Sequence, residues 1–372
     1  MASGIRDEIY CFKDKSGREL GLRFDLTVGI TRYVVSRRDL QLPVKLGSFG
    51  SMWRYDEPQY GRYRWFHQWD AEIFGPSCIE ADAEVIDFTS SLFERLGIKD
   101  SIIRIGDRKV VEEFIRKELK IEKEELILEM LRALDKAGKK ETSQILDEYE
   151  AKGIDRADLR RLMELTKLRG DAESVLKGLH QGIDTSSLSE LSDRLRARGI
   201  KNFEIDLSIV RGLDYYTGTV FEAYTKEERL GAIAGGGRFD ALPKIFGRQD
   251  MGATGVAGGV ERTMMVLYQL QEKKGYEGPL IYVGYVGKDL MKPATEIASK
   301  LRREGLATDI ELLNRSLRRQ LEDASSKNIP FFVIVAPREY SQGKVLLRDM
   351  RKGEEAVLSI DELIGFLQQR LT

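Results

Sequence analysis

The stretch from Arg54 to Glu72 reads RYDEPQYGRYRWFHQWDAE, and its second half alternates in character. Successive side chains of an extended strand point to opposite sides of the sheet. One side would therefore carry Arg64, Phe66, Gln68, Asp70 and Glu72. The other would carry Trp65, His67, Trp69, Ala71 and Ile73, which suit a buried face. A polar row at this spacing predicts either a solvated sheet face with ordinary ion pairs or the floor of a pocket.

The size and composition of the chain indicate a globular protein with two or three domains. It has 372 residues, of which 42% are hydrophobic and 33% charged. Lys and Arg number 60 against 61 Asp and Glu, which excludes a generally polybasic nucleic-acid binder. A nucleic-acid partner held by a local patch is still compatible with this balance.

The two cysteines and the apolar runs bear on the compartment. Cys11 and Cys78 form neither a metal-binding spacing nor a disulfide framework, so we expect a reducing, cytoplasmic setting. No apolar run reaches the length of a membrane span. The start, MASGIRDEIYCFKDKSGREL, lacks a signal-peptide core and soon becomes strand-like, so we expect that preceding material is absent.

The pattern along the chain predicts two units. Residues 44–54 and 64–74 form a predicted hairpin, preceded by a strand over 21–27 and a helix from 28 to about 40. Residues 108–200 are rich in Glu, Lys, Arg and Leu and predict a helical insertion in a first domain that spans 1–275. After the linker EKKGYEGP, strands and helices alternate over 280–372, which predicts a compact α/β domain with a mixed sheet.

Several common kinds of catalytic site are excluded. The glycine cluster GAIAGGGRFD has Asp240 where a dinucleotide-binding loop needs a small residue, and the chain has no P-loop or G-x-S-x-G motif. With only His67 and His180, a histidine-based zinc site is not expected. His67 also lies on the apolar side of its strand, which favours a packed histidine over a catalytic one.

Arginines and carboxylates on strands remain as the candidate chemistry. Guanidinium groups grip phosphate oxygens in pairs, so arginines can hold a polyphosphate without a P-loop. Five arginines stand beside strand, turn or glycine-rich sequence: Arg54, Arg62, Arg64, Arg211 and Arg262. Gln68 and Glu72, with Asp25 in LRFDLT, could accept hydrogen bonds from a ligand that carries an ammonium group.

These residues lie in segments that resemble a known family. GSMWRYDEPQYGRYRWFHQWDAEIFG resembles motif 2 of class II aminoacyl-tRNA synthetases in its histidyl version. VRGLDYYTGTVFEAY resembles the peptide specific to histidyl-tRNA synthetases, and AGGGRFDALPKIFG with GATGVAGGVERTMMVL resembles the second histidyl signature and motif 3. LRFDLT resembles the segment that lines the amino-acid pocket. The motifs occur in the family's order, and the resemblance covers nearly the whole chain.

The resemblance implies a multidomain fold of the α/β and α+β classes. An antiparallel-sheet class II catalytic core with a helical insertion would be followed by a mixed-sheet α/β anticodon-binding domain. It also implies an ATP-dependent ligase that activates L-histidine to histidyl-adenylate and transfers it to the 3′ end of tRNA(His). ATP would be a substrate with Mg²⁺ bridging its phosphates mainly through water, without a protein metal site. The protein would be a homodimer.

The resemblance also implies residue roles. Arg54 and Arg211 would be catalytic, contacting the α-phosphate and the histidine carboxylate from two sides. The ATP site would comprise Arg54, Asp56, Arg62, Phe66 and Arg262, with Phe66 stacked on adenine. The α-amino group of histidine would be held by Asp25, Thr27, Gln68 and Glu72. Tyr215 and Tyr216 would close on its imidazole.

The chain departs from the family pattern in two places. Motif 1, which should precede DEIYCFKDK, is not found, and Asp56 stands where the family often has Glu. Three rival interpretations are a non-catalytic paralogue such as the regulatory subunit of ATP phosphoribosyltransferase, an RNA-binding module derived from a synthetase, and a synthetase for another amino acid. In the C-terminal unit, Arg315, Arg318 and Arg319 could grip anticodon phosphates or form a solvated helix face.

Overall fold

The computed structural model describes residues 9–137, 140–179, 182–210, 215–226, 228–270 and 278–371. The chain divides into two compact units, Met1–Gln271 and Glu272–Thr372. Among the described residues, no helix combines the length and the apolarity that crossing a bilayer would need.

The first unit combines strands with helices of 5 to 17 residues. Its strands are β1 (Cys11–Lys13), β2 (Glu19–Gly21), β3 (Val44–Trp53), β4 (Trp65–Gly75), β5 (Ile102–Asp107), β6 (Arg169–Gly170), β7 (Phe203–Asp206), β8 (Thr219–Tyr224), β9 (Ala234–Arg238) and β10 (Gly252–Gly259). Its helices are α1 (Thr27–Ser36), α2 (Ile79–Arg95), α3 (Arg108–Glu118), α4 (Glu124–Asp135), α5 (Thr142–Glu150), α6 (Arg156–Met163), α7 (Ala172–Gly178), α8 (Ser186–Ala197), α9 (Ala241–Ile245) and α10 (Val260–Leu270). Short 3₁₀ turns lie at Glu164–Lys167 and Glu228–Leu230.

Eight of these strands, counted over the described residues, form one sheet in the order β3-β4-β10-β9-β8-β5-β7-β6. Every neighbouring pair is antiparallel except β5 and β7, which run parallel. A long antiparallel-rich sheet in this unit is what the family resemblance predicted. The separate two-stranded sheet β1-β2 lies before it in the chain.

The hairpin β3–β4 has the alternation that the sequence predicts, but its two faces are covered differently from the prediction. Gln68, Asp70 and Glu72 are only 4%, 3% and 2% exposed, so the polar row is buried. On the opposite face, α2 covers the second half of β4, where Trp69 packs edge-on against Phe93. The predicted burial of Trp65 on that face is wrong, because it lies beyond that cover and is 56% exposed.

The segment between β2 and α1 is not the strand predicted over 21–27. The strand ends at Gly21, and the chain then runs beside the end of β3, where the Trp53 amide donates to the Arg23 carbonyl oxygen at 2.9 Å. The Asp25 carboxylate accepts a hydrogen bond from the Val28 amide at 3.0 Å, which favours the start of a helix there. The predicted helix is confirmed but ends at Ser36 rather than near residue 40.

The glycine cluster forms a strand inside the sheet, not a phosphate loop. Strand β9 pairs with β8 on one side and β10 on the other. A Cβ added at Gly236 would lie 1.9 Å from the Gly255 carbonyl oxygen, so no larger residue fits there. Glycine within a strand can mark a place where another backbone comes close, and the backbone of β10 is the one that does so here.

Helices α3 to α8 occupy the region between β5 and β7. Asp107, the last residue of β5, accepts a hydrogen bond from the Lys109 amide at 2.8 Å and so caps α3. Its second oxygen accepts from the Ser187 hydroxyl at 2.8 Å, which joins the start of α3 to the start of α8. One buried carboxylate therefore links the first and the last helix of this region.

The second unit has a mixed five-stranded sheet within the described residues. Its strands are β11 (Ile281–Tyr285), β12 (Thr308–Ile310), β13 (Phe331–Val335), β14 (Lys344–Asp349) and β15 (Glu355–Ser359). Its helices are α11 (Met291–Arg303), α12 (Leu317–Ser326), α13 (Pro337–Tyr340) and α14 (Ile360–Leu371), with a 3₁₀ turn at Lys288–Leu290. The order is β12-β11-β13-β14-β15, and β11 runs parallel to β12 and β13 while β14 and β15 are antiparallel. This is the α/β pattern with a mixed sheet that the sequence predicts.

Candidate active site

Gln68 and Asp70 of the buried polar row form a connected hydrogen-bond chain with Arg54, the residue that follows β3. The Gln68 amide nitrogen donates to both carboxylate oxygens of Asp70, each at 3.1 Å. The Gln68 amide oxygen accepts from Arg54 Nη2 at 3.1 Å, and Arg54 Nε donates to the Phe24 carbonyl oxygen at 3.0 Å. These bonds bring together Arg54 and Gln68, two of the residues that the family resemblance assigns to the histidine site.

The carboxylates of this row are crowded and poorly solvated. Burial raises the pKa of Asp70 to about 7, and the Gln68 hydrogen bond only partly opposes this effect. Burial also raises the pKa of Glu72 well above its ordinary value; the Thr27 hydroxyl counteracts this, while Asp70 and Asp25 add to it. Thr27 is near enough to affect that pKa, but within the part of the chain that the structure describes neither Glu72 oxygen accepts a hydrogen bond of ordinary geometry. Such a group is suited to meeting the donor groups of a cationic ligand.

Three of the predicted phosphate-binding arginines gather at the other end of the hairpin. Arg262, near the start of α10, donates from Nε to the Gly61 carbonyl oxygen and from Nη1 to the Ala232 carbonyl oxygen, both at 2.7 Å. Burial lowers its pKa, and the nearby charges of Arg62 and Arg54 lower it further. These like charges repel one another, and a bound anion such as a polyphosphate would offset that repulsion.

Phe66 and Asp56 lie beside this arginine cluster. The Arg54 guanidinium lies over the Phe66 ring, 5.1 Å from its centroid. The Arg64 side chain donates from Nε to the Asp56 carbonyl oxygen at 3.0 Å and lies over Tyr55 at 4.5 Å. Arg64 therefore stabilises the loop between β3 and β4, whereas Arg54 and Phe66 face the polar row.

His67 belongs to the face opposite the pocket, as the alternation predicts. Its Nδ1 lies 2.8 Å from a carboxylate oxygen of Glu261, and its backbone amide donates to both oxygens of the same carboxylate. Its ring stacks on Phe49 at 5.6 Å between centroids. His67 thus joins β4 to α10, and Glu261 is a structural partner that sequence reasoning missed.

Of the predicted site residues in VRGLDYYTGTVFEAY, the structure describes the two imidazole-binding candidates, Tyr215 and Tyr216, but not the catalytic candidate Arg211. Tyr215 and Tyr216 lie with ring centroids 4.8 Å apart, and Tyr216 is buried in a cluster that includes Val34, Phe74 and Val220. Phe74 is in β4 and Val220 in β8, on the same face of the sheet as the polar row. The prediction for Arg211 concerns a residue outside the described ranges.

The described residues contain no group of three or more His, Cys, Asp or Glu side chains that could hold a metal ion.

In the second unit, the three predicted arginines have different environments. Arg315 donates to the buried Glu311 carboxylate at 2.7 Å and to Asp323 at 3.0 Å. Arg318 has an exposed side chain and pairs with Glu322 one turn further along α12. Arg315 therefore stabilises the fold, whereas Arg318 and the exposed Arg319 are open to a partner.

Comparison with known proteins identifies the family. A family model described as "Histidyl-tRNA synthetase" matches residues 1–263. The chain belongs to the histidyl-tRNA synthetase family. A second model, "Anticodon binding domain", matches residues 280–370. The family resemblance and the fold class predicted from the sequence are both confirmed.

Individual relatives agree with this assignment. The chain is 37% identical over 375 residues to the histidine–tRNA ligase of Pyrococcus horikoshii, covering 98% of this chain and 86% of that protein. A histidyl-tRNA synthetase structure from Nostoc is 27% identical, with a TM-score of 0.67 over 97% of this chain and 86% of that one. A Bacillus halodurans structure titled "ATP phosphoribosyltransferase regulatory subunit/histidyl-tRNA synthetase" shares the fold at 24% identity and a TM-score of 0.61, covering 89% of this chain and 83% of that one.

Proposed function

We propose that this chain activates L-histidine with ATP to form histidyl-adenylate and then transfers the histidyl group to the 3′ end of tRNA(His). The observation that carries the proposal is the buried row of Gln68, Asp70 and Glu72 beside the arginine cluster of Arg54 and Arg262. The row offers acceptors for an ammonium group, and the cluster offers positive charge for phosphates. Both sets lie in the family's motifs.

The chemistry follows from charge placement, because no covalent nucleophile is needed. Attack of the histidine carboxylate on the α-phosphorus displaces pyrophosphate, and negative charge accumulates on the α-phosphate oxygens. Arg54, fixed by Gln68 and the Phe24 carbonyl oxygen, can stabilise that charge without reorganising. In the proposal Arg211 approaches from the other side as the second catalytic arginine, and Arg62 and Arg262 hold the outer phosphates with Mg²⁺.

The same proposal assigns the amino-acid pocket. Asp25, Thr27, Gln68 and Glu72 would bind the α-ammonium, and Tyr215 and Tyr216 would bind the imidazole. Two findings support this assignment. The buried carboxylate of Glu72 lacks a partner among the described residues, and Asp25 and Thr27 both influence its pKa. Asp56 and Phe66 would complete the ATP site beside Arg54.

A non-catalytic regulatory paralogue is not favoured by any feature of this chain. Such proteins typically lose the catalytic arginines and lack the C-terminal domain, whereas Arg54, Arg211 and Arg262 are all retained here. The second unit is present and matches an anticodon-binding domain. That unit, with the exposed Arg318 and Arg319, would hold the tRNA.

The proposed dimer has support from an exposed apolar patch on the face of the sheet opposite the pocket. Phe49 is 67% and Trp65 is 56% exposed, and both contact the His67 ring. Such a patch is typical of a surface that a second protein surface covers, and we propose that a second copy of this chain covers it. The cytoplasmic location stays part of the proposal, with the free cysteines Cys11 and Cys78 as its support.

ATP–pyrophosphate exchange, measured with each of the twenty amino acids in turn, tests the proposal. Exchange should depend on histidine, because the pocket must satisfy buried polar groups that other side chains would leave unpaired. Charging of tRNA(His) transcript with labelled histidine should follow. Exchange with another amino acid and none with histidine would refute the assignment.

A further inference from the structure

Asp70 lies in the middle of the polar row, and the family motifs give it no role. It is 3% exposed, and both of its carboxylate oxygens accept from the same group, the Gln68 amide nitrogen, at 3.1 Å. A carboxyl group buried at this depth is costly unless it is hydrogen-bonded. The hydrogen bonds that Asp70 makes all come from Gln68, so its effect on the site passes through that amide.

The Gln68 amide needs an orienting partner. Its oxygen and nitrogen ends have nearly the same shape, so packing alone cannot choose between them. In the observed orientation the oxygen accepts from Arg54 Nη2 at 3.1 Å. With the amide reversed, its NH₂ group would face the guanidinium, donor against donor. Both Asp70 carboxyl oxygens lie at the nitrogen end of the amide as acceptors, so Asp70 makes the observed orientation the favourable one.

We propose that Asp70 is a positioning residue that fixes the Gln68 amide and, through it, the Arg54 guanidinium. The chain of contacts runs from Asp70 to Gln68, from Gln68 to Arg54, and from Arg54 Nε to the Phe24 carbonyl oxygen at 3.0 Å. The Arg54 guanidinium therefore donates to two fixed acceptors, the Gln68 amide oxygen on β4 and the Phe24 carbonyl oxygen before α1. This inference rests on the proposed function, because the value of a fixed Arg54 lies in meeting the α-phosphate.

The orientation of the amide can be observed without any catalytic activity. Protein labelled with ¹⁵N-glutamine should show a Gln68 side-chain NH₂ signal, assigned by its loss in Gln68→Ala. In the wild type this signal should be split and slow to exchange with water, because the group is buried and bonded. In Asp70→Ala it should exchange much faster, and in Asp70→Asn it should stay protected, since Asn keeps one carbonyl acceptor. An unchanged Gln68 signal in Asp70→Ala would overturn the proposal.

A double-mutant cycle on histidine-dependent pyrophosphate exchange tests the functional consequence. Asp70→Ala should lower kcat about tenfold, with a smaller change in the KM for ATP, because it leaves a buried donor unsatisfied and frees Arg54. In the Gln68→Ala background the same substitution should change kcat less than about twofold. Independent, multiplying effects would show that Asp70 does not act through Gln68.

The matched control is Ser48→Ala. Ser48 lies directly opposite Asp70 on β3, and its buried hydroxyl has no partner among the residues that the structure describes. Its effect should combine independently with Gln68→Ala, as expected for a residue outside the chain of contacts. Absence of histidine-dependent exchange in the wild type would refute the proposed function instead, while the Gln68 signal would still decide the positioning role.

Discussion

Replacing Glu72 by Gln should weaken histidine binding and, at the same time, stabilise the ligand-free protein above neutral pH. The side chain is 2% exposed, and neither oxygen has a partner within the described residues. In the free protein it is therefore a buried polar group that only the nearby Thr27 hydroxyl partly compensates. A ligand with a cationic donor group would offset the cost of burying this carboxylate. The substitution should therefore lower the affinity for histidine and raise the stability of the ligand-free protein.

The expected loss of affinity follows from simple electrostatics. A charge pair 4 Å apart is worth about 4 kcal/mol at an effective dielectric constant of 20. The Gln side chain keeps one hydrogen bond of about 1 kcal/mol. The difference of about 3 kcal/mol applies at a pH where Glu72 is ionised, and it corresponds to a histidine Kd raised about a hundredfold. At lower pH the loss of affinity should be smaller, because Glu72 must first release its proton to form the pair. ATP affinity should change little, because the arginines at the other end of the hairpin are intact.

The effect on stability has a defined pH dependence. The pKa of Glu72 is raised in the folded protein above its ordinary value of about 4.3 in an unfolded chain. As pH rises through that window, the folded state retains a proton that the unfolded state has lost, so the free energy of unfolding falls. The Gln variant lacks this decline. Its Tm advantage over the wild type should therefore be larger at pH 8 than at pH 5.

Isothermal titration with histidine and with ATP measures the affinities, and thermal unfolding at the two pH values measures the stability. Glu204→Gln is the matched control, since Glu204 is ion-paired with Arg104 at 2.8 Å. That variant should be less stable than the wild type and bind histidine normally. A Glu72→Gln protein with unchanged histidine affinity, or with the same Tm difference at both pH values, would refute the reasoning.

Three further predictions concern Arg211, the second unit and His67. Arg211→Ala should lower kcat for adenylation about a hundredfold, because one such charge stabilises the transition state by roughly 3 kcal/mol. A raised KM with unchanged kcat in steady-state exchange would contradict this. Removing residues 280–372 should preserve pyrophosphate exchange and abolish tRNA charging, and equal loss of both half-reactions would argue against a separate unit. His67→Gln should lower the Tm, because it breaks the bond to Glu261, while the histidine Kd measured by titration stays within about twofold.

The sequence predicts the polar face of β4 correctly because a period of two residues reports directly on the direction of side chains. Alternation cannot report what covers each face. Trp65 and Ile73 follow the same alternation, yet Ile73 lies in the half of β4 that α2 covers, whereas Trp65 lies beyond that helix and is exposed. The strand prediction over 21–27 failed because a sequence pattern also cannot report which backbone lies alongside. The extended segment after Gly21 bonds to the end of β3 through Arg23 and Trp53, and that contact is too short to form a strand.

Contacts between distant parts of the chain were beyond prediction for a different reason. Glu261 is 194 residues from His67, and no local signal marks one as the partner of the other. Arg315 and Arg318 are equivalent as sequence, but the buried Glu311 makes the first a structural residue. Asp70 was visible in the row, but its role depends on side-chain hydrogen bonds that a strand pattern does not specify.

The arrangement of charge along the hairpin explains how two different ligands could be brought into register. Positive charge is concentrated at the turn end, where Arg54 and Arg62 lie close enough to lower the pKa of Arg262. Carboxylates lie further along β4, where burial raises the pKa of Asp70 and Glu72. Because each cluster is unfavourable alone, an amino acid gains most when its ammonium points to the carboxylates and its carboxylate to Arg54. In the proposed mechanism that orientation would place the carboxylate beside the α-phosphate held by Arg54, which is the alignment that attack on phosphorus requires.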